Sequence, residues 1–246
     1  MDLQKEVYLY AIMIKTILFD LDGTLLPMNE DEFTKGYFGL LCKRLAPLGY
    51  DKDTLIKTIW TGTKQMVKND GTKTNEQVFW DCFAEIYGKD KLKDKAEFDD
   101  FYLSDFKKSQ VFCGENKYAK EMVEIARNKG LKIILASNPV FPKEGMVTRL
   151  GFVGLTEKDF DYISSYEISH YSKPNPKYFQ EILDNNNLKA NEVIMFGNSE
   201  SEDYEPATVC GIKCYLIGDC ISLKSDKSPC QPLTYEQAIK KIKQLV

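Results

Sequence analysis

Residues 15–26 read KTILFDLDGTLL, and the change of character halfway along this stretch decides the fold. Thr16, Ile17, Leu18 and Phe19 make a short β-branched and aromatic run, which predicts a buried strand. The run stops at Asp20-Leu21-Asp22-Gly23-Thr24, a polar turn with glycine inside it. Taken alone, the turn has a plain reading in which its aspartates cap backbone groups. A calcium loop also alternates aspartates, but it follows a helix and needs glycine sixth and usually glutamate twelfth. Counted from Asp20, those positions hold Leu25 and Asp31.

Outward from this strand the period changes. Phe33, Tyr37, Leu41, Leu45 and Leu48 recur at helical spacing, and Gly49 can end that helix. Leu55, Ile59 and Met66 predict a second helix. Thr74 with Gln77 is a capping box opening a third, with Val78, Cys82 and Ile86 expected on its apolar face and Gly88 beyond its end. Phe98, Tyr102 and Phe106 mark a fourth. Four helices without a strand read as a bundle inserted as a unit. After about residue 112 strands and helices alternate. A helix with Tyr118, Met122 and Ile125 leads to the strand LKIILA (131–136). Asn175-Pro176 caps a helix with Phe179, Ile182 and Leu183; EVIMF (192–196) and IKCYLI (212–217) are further strands. Thr234 and Gln237 open a final helix. The expectation is α/β: a Rossmann-like parallel sheet core (1–26 and 112–246) with an inserted all-helical cap domain (27–111), joined by hinges near 25–30 and 108–115.

The whole chain has 246 residues, 43% apolar and 28% charged, enough for a sizeable core. A net charge of -4 argues against nucleic acid as a partner. There is one histidine, His170, which excludes multi-histidine zinc sites and leaves catalysis to carboxylates and lysines. Seven scattered cysteines, with no CxxC pair, predict free thiols in a reducing, cytoplasmic setting. No run reaches the ~18 apolar residues of a membrane helix, and residues 1–13 lack the pattern of a secretory signal. Met1 or Met13 can be the start.

Parallel sheets bind ligands beyond the carboxyl ends of their strands. The residues there are Asp20, Asp22 and Thr24 after the first strand, Ser137 and Asn138 after the second, and GNSESED (197–203) after EVIMF, with Lys173 in the loop before Pro176. Together these segments resemble the haloacid dehalogenase superfamily of aspartate-nucleophile phosphohydrolases. FDLDGTLL matches its first motif, Ser137-Asn138 its second, Lys173 in SKPNPKYF its third, and strand plus GNSESED its fourth in position. The resemblance covers the chain from about residue 14, including the site of the helical cap. It implies Asp20 as nucleophile and Asp22 as the acid that protonates the leaving alcohol and then activates water. It implies phosphate binding by Thr24, Ser137, Asn138 and Lys173, and Mg²⁺ held by Asp20, Asp22, Asn198 and Asp203. Dehalogenases of the superfamily lack the second aspartate, so Asp22 favours phosphoryl transfer.

The fourth motif departs from the family's pattern. An aspartate usually follows the glycine, or the sequence runs Gly-Asn-Asp; here Asn198 and then Ser199 follow Gly197, and the next acids are Glu200, Glu202 and Asp203. Asparagine ligates a hard cation through its carbonyl oxygen but brings no charge. The expected function is a Mg²⁺-dependent phosphatase acting on a small phosphorylated metabolite, as a monomer or homodimer, with no nucleic acid or membrane partner. The alternatives are a metal-impaired member that binds a phospho-ligand or protein, and a phosphomutase. Glu200 and Glu202 are candidates to replace the missing charge or are solvated helix-start acids; Glu167 is a candidate to orient Lys173, and His170 to line the cleft.

Overall fold

The computed structural model describes residues 13–245, so the question of the start codon and the character of the first dozen residues lie outside it. Strand β1 (Thr16–Phe19) is followed by helices α1 (Glu30–Leu45), α2 (Lys52–Val67), α3 (Asn75–Tyr87) and α4 (Lys95–Leu103), then α5 (Lys117–Asn128) and β2 (Lys132–Leu135). Helix α6 (Lys143–Phe152) and the two-residue strand β3 (Tyr162–Ile163) come next, then α7 (Pro176–Asn185), β4 (Val193–Gly197), α8 (Glu205–Val209), β5 (Lys213–Leu216) and α9 (Tyr235–Gln244). The five strands form one parallel sheet in the order β3-β2-β1-β4-β5.

β1 is central and buried along its whole length, as its apolar run requires. Its side chains alternate: Ile17 and Phe19 join the cluster holding Met122, Ala126 and Ile239 of α5 and α9, whereas Leu18 joins Phe179 and Ile182 of α7 on the other face. Phe19 is in register with Leu135 on one side and Phe196 on the other. The residues that follow these three strands therefore emerge at a single edge of the sheet.

The inserted cap consists of α1–α4, with a 3₁₀ segment from Asp105 to Phe112. The capping boxes at Thr74 and Thr234 form as the sequence implies. Phe79, Trp80 and Phe83 turn inward with Cys82, as bundle-core aromatics should, but Val78 is only half-buried and Ile86, expected on the apolar face, is 45% exposed. The aromatic row removes more apolar surface from water than the aliphatic one, so it sets the helix rotation. The two chain crossings between cap and core run side by side, with Gly114 N–H donating to Pro27 O (2.7 Å) and Met28 pairing with Cys113. A second tie comes from Asn75 at the start of α3. It is fully buried; its N–H donates to Ser169 O (2.8 Å) and its Nδ2 to Ser172 Oγ (3.0 Å), in the loop that ends at Lys173.

Candidate active site

Asp20 follows β1 directly and is buried. Lys173 Nζ, also buried, donates to Asp20 Oδ1 (2.8 Å) and to Asp203 Oδ1 (2.5 Å). Thr24 Oγ1 donates to the other Asp20 oxygen (2.9 Å) and lies 3.4 Å from Asn198 Oδ1. The backbone N–H groups of Asn198 and Ser199 both donate to Asp203 Oδ2 (3.0 Å each). One carboxylate thus anchors the lysine and the turn after β4. Gly23 (φ +80°) brings the first turn against this one: a Cβ there would stand 2.2 Å from Asn198 Nδ2. Burial, opposed by Lys173 and aided by Asp203 and Asp22, raises the Asp20 carboxyl to about 7. Burial works to lower the Lys173 ammonium, but Asp20 and Asp203 outweigh it and hold its pKa well above the ordinary value.

Thr24 is fully buried and spends its hydroxyl on Asp20, so it positions the nucleophile candidate and does not reach the cavity. Asp203, expected among the metal ligands, engages its oxygens with Lys173 and two amides and so positions the lysine and the turn after β4. Ser137 and Asn138 line the cavity, Asn138 Nδ2 reaches Glu202 Oε2 (3.4 Å), and burial raises the Glu202 carboxyl. Glu200 does not face the site; it accepts the Lys224 backbone N–H (2.8 Å) and ties down a neighbouring loop. Glu167 accepts the Lys143 N–H (3.0 Å) and is not the partner of Lys173. The His170 ring pairs with Glu181 (2.7 Å) outside the cavity, so this histidine fastens its loop to α7.

Arg149 was missed by the motif reading. It sits on α6, is 1% exposed, and makes an ion pair with Asp22. Its guanidinium lies 4.3 Å from the centre of the Phe141 ring, and its Nε donates to Gly145 O (3.3 Å). The available signal was one arginine inside the apolar run Met146-Val147-Thr148-Arg149-Leu150, because a buried arginine requires a partner.

These residues share a cavity of about 480 Å³ between the sheet edge and the cap. Five carboxylates line it (Asp20, Asp22, Glu30, Glu202 and Asp203) against two cations, Lys173 and Arg149. By formal charge the lining is net negative, a setting that suits a bound cation. Mg²⁺ binds one or two carboxylates, other oxygens and several waters. The donor set fits that description: Asn198 Nδ2 is fixed by Cys220 O (2.8 Å), which leaves its Oδ1 beside Thr24 and Asp20, and buried Asp22 Oδ1 has no hydrogen-bond partner. Among the described residues no three acid, cysteine or histidine side chains converge as a ready-made metal cage.

The sequence model of the haloacid dehalogenase-like hydrolases matches residues 17–217, and the chain belongs to that family. Solved structures share the fold at low identity. A putative β-phosphoglucomutase from Thermotoga maritima is 21% identical, with 95% of this chain and 100% of that one covered and a TM-score of 0.55. A HAD phosphatase from Thermococcus onnurineus is 20% identical over 93% and 98%, with a TM-score of 0.59. A 2-haloacid dehalogenase from Pseudomonas syringae pv. Tomato DC3000 is 18% identical over 88% and 92%, with a TM-score of 0.56. No curated protein sequence matches. No helix among the described residues is long and apolar enough to cross a membrane.

Proposed function

We propose that this hydrolase is a Mg²⁺-dependent phosphatase of small phosphate monoesters. The observation that carries the reading is Asp20, buried and held at both oxygens by Lys173 and Thr24, with Asp22 two residues on in the same cavity. A fold shared with a dehalogenase leaves the chemistry open; an acid at position 22 favours expulsion of an alkoxide, which needs a proton, over expulsion of halide, which does not.

In this reading the Asp20 carboxylate attacks phosphorus, the P–O bond to the alcohol breaks, and an aspartyl-phosphate forms. Asp22 gives its proton to the departing oxygen. It then takes a proton from water, whose oxygen attacks phosphorus, releasing phosphate and restoring Asp20. Lys173, Ser137 and Asn138 face the phosphoryl oxygens, and Arg149 holds Asp22 in place. Asp20 and Asn198 would hold Mg²⁺, with Asp22 joining them only while its carboxyl is ionised; when bound, the ion would supply the positive charge that the lining lacks. The intact buried Asp20–Lys173 pair weighs against a binding-only relative.

The paired crossings at Pro27–Gly114 and Met28–Cys113 support hinges that let residues 27–111 move as a cap. Seven free thiols support a reducing compartment. The test is turnover of a phosphate ester panel with and without Mg²⁺. Asp20→Asn should lower kcat/KM by about 10³-fold or more and abolish phosphoryl transfer to the protein. Equal activity of wild type and variant would end the reading.

A further inference from the structure

The cavity has two unlike ends. The core end carries the charged and hydroxyl groups described above. The cap end is walled by Phe33, Tyr37, Trp60, Phe79, Trp80 and Tyr102. Three of its four ring polar atoms are already engaged, the Trp60 N–H being the other: the Tyr37 and Tyr102 hydroxyls share a hydrogen bond of 2.9 Å, and Trp80 Nε1 donates to the Tyr166 hydroxyl at 3.4 Å. The only other polar side chains that the cap contributes to the lining are Glu30, Thr34 and Thr63. No lysine, arginine, histidine, asparagine or glutamine of the cap lines it among the described residues. Both core cations are committed, Lys173 to Asp20 and Asp203, and Arg149 to Asp22.

Each class of phosphate ester makes a different demand on such a wall. A sugar brings several hydroxyls, and the cap end offers only Glu30, Thr34 and Thr63 to replace the water they lose. A second phosphate or a carboxylate needs a cation at the cap end and would meet Glu30 instead. An apolar ring needs only desolvated rings to pack on, and gains from edge-to-face contact with them. A volume of about 480 Å³ lies within the range of pockets that enclose a ligand of one or two rings.

We propose that the substrate is the monophosphate of an uncharged, largely aromatic alcohol, with its phosphate at Asp20 and its ring against the cap. This rests on the phosphatase reading and narrows its substrate class. It disfavours sugar bisphosphate and phosphomutase chemistry for this chain.

The test is a panel of primary alkyl phosphates of similar leaving-group basicity: 2-naphthylmethyl phosphate, benzyl phosphate, glucose 6-phosphate and phosphoglycolate. Acetyl phosphate, which has no body to recognise, reports bare Asp20-dependent turnover. The two aryl compounds should exceed the sugar and the acid in kcat/KM by about tenfold or more. Trp60→Ala, which removes a ring 52% exposed and therefore tolerated by the fold, should reduce the naphthylmethyl-to-glucose ratio at least about threefold. Turnover of acetyl phosphate together with a preference for glucose 6-phosphate or phosphoglycolate, or an unchanged ratio in Trp60→Ala, overturns the substrate class and leaves the phosphatase reading standing. No Asp20-dependent turnover of any compound, acetyl phosphate included, overturns both.

Discussion

The two walls of the cavity are built by opposite means. At the core wall a few polar groups are buried and each is held by another: Asp203 grips Lys173, Lys173 and Thr24 grip Asp20, and Arg149 grips Asp22. At the cap wall position comes from ring packing, with Tyr37 alone stacked or edge-on to Phe101, Tyr102, Phe106 and Phe141. Charges in a low dielectric interact strongly and over distance, so one missing partner disturbs the rest. Ring contacts are short-ranged and numerous, so each is individually replaceable. The core wall is suited to a fixed chemistry and the cap wall to a variable choice of substrate.

Removing a charge from the core wall gives the largest effect. Lys173→Met leaves Asp20 and Asp203 buried without their counter-charge and should cost about 3–5 kcal/mol in unfolding free energy, read from urea midpoints. Adding Asp20→Asn to that variant should return part of the loss. A Lys173→Met cost that the second change does not reduce would show that the wall is not a coupled charge network.

Arg149→Met tests whether the Asp22 pair serves proton transfer. Hydrolysis of alkyl phosphates, whose alkoxide needs a proton, should slow by about 10²-fold. Hydrolysis of p-nitrophenyl phosphate, whose leaving group departs unaided, should slow far less, and Arg149→Lys should recover part of the alkyl activity. Equal losses on both substrates would make Arg149 a packing residue only.

Asn198→Asp adds a charge where the lining faces Asp20 and should lower the half-saturating Mg²⁺ concentration by about tenfold. It also removes the donor to Cys220 O, so it should destabilise the chain by about 1–3 kcal/mol. An unchanged Mg²⁺ midpoint would show that residue 198 is not a ligand. The smallest effect concerns pH. Asp20 must be ionised to attack, and burial places its carboxyl near 7. At low Mg²⁺, kcat/KM should therefore fall as pH drops below about 7, and saturating Mg²⁺ should move that limb to lower pH, because a nearby cation favours the carboxylate. A limb insensitive to Mg²⁺ would place the metal away from Asp20.

Much of the architecture was legible because it depends on local pattern. The KTILF run, the Asn175-Pro176 cap and the two capping boxes are short-range signals, and each element formed where its residues implied. That the cap aromatics fill the bundle core was legible from their residue type, but the exact rotation of α3 was not, because Val78 and Ile86 satisfy the helical period as well as Phe79 and Phe83 do, and only the neighbouring rings choose between them. Helix α6 was hidden by a stretch that opens on Pro142 and contains two glycines.

By itself the sequence determined that a strand ends in Asp20 and Asp22, that Lys173 and Ser137 stand at the ends of later elements, and that catalysis rests on acids and lysines. These follow from residue type and from the rule that ligands gather at the carboxyl ends of parallel strands. Only the tertiary structure decided that Asp203 serves Lys173, that Glu167 and His170 turn elsewhere, that Arg149 reaches Asp22 from 127 positions away, and that the cap presents paired rings to the cavity. Pairing between buried groups depends on which side chains meet after collapse, and no periodicity along the chain records that meeting.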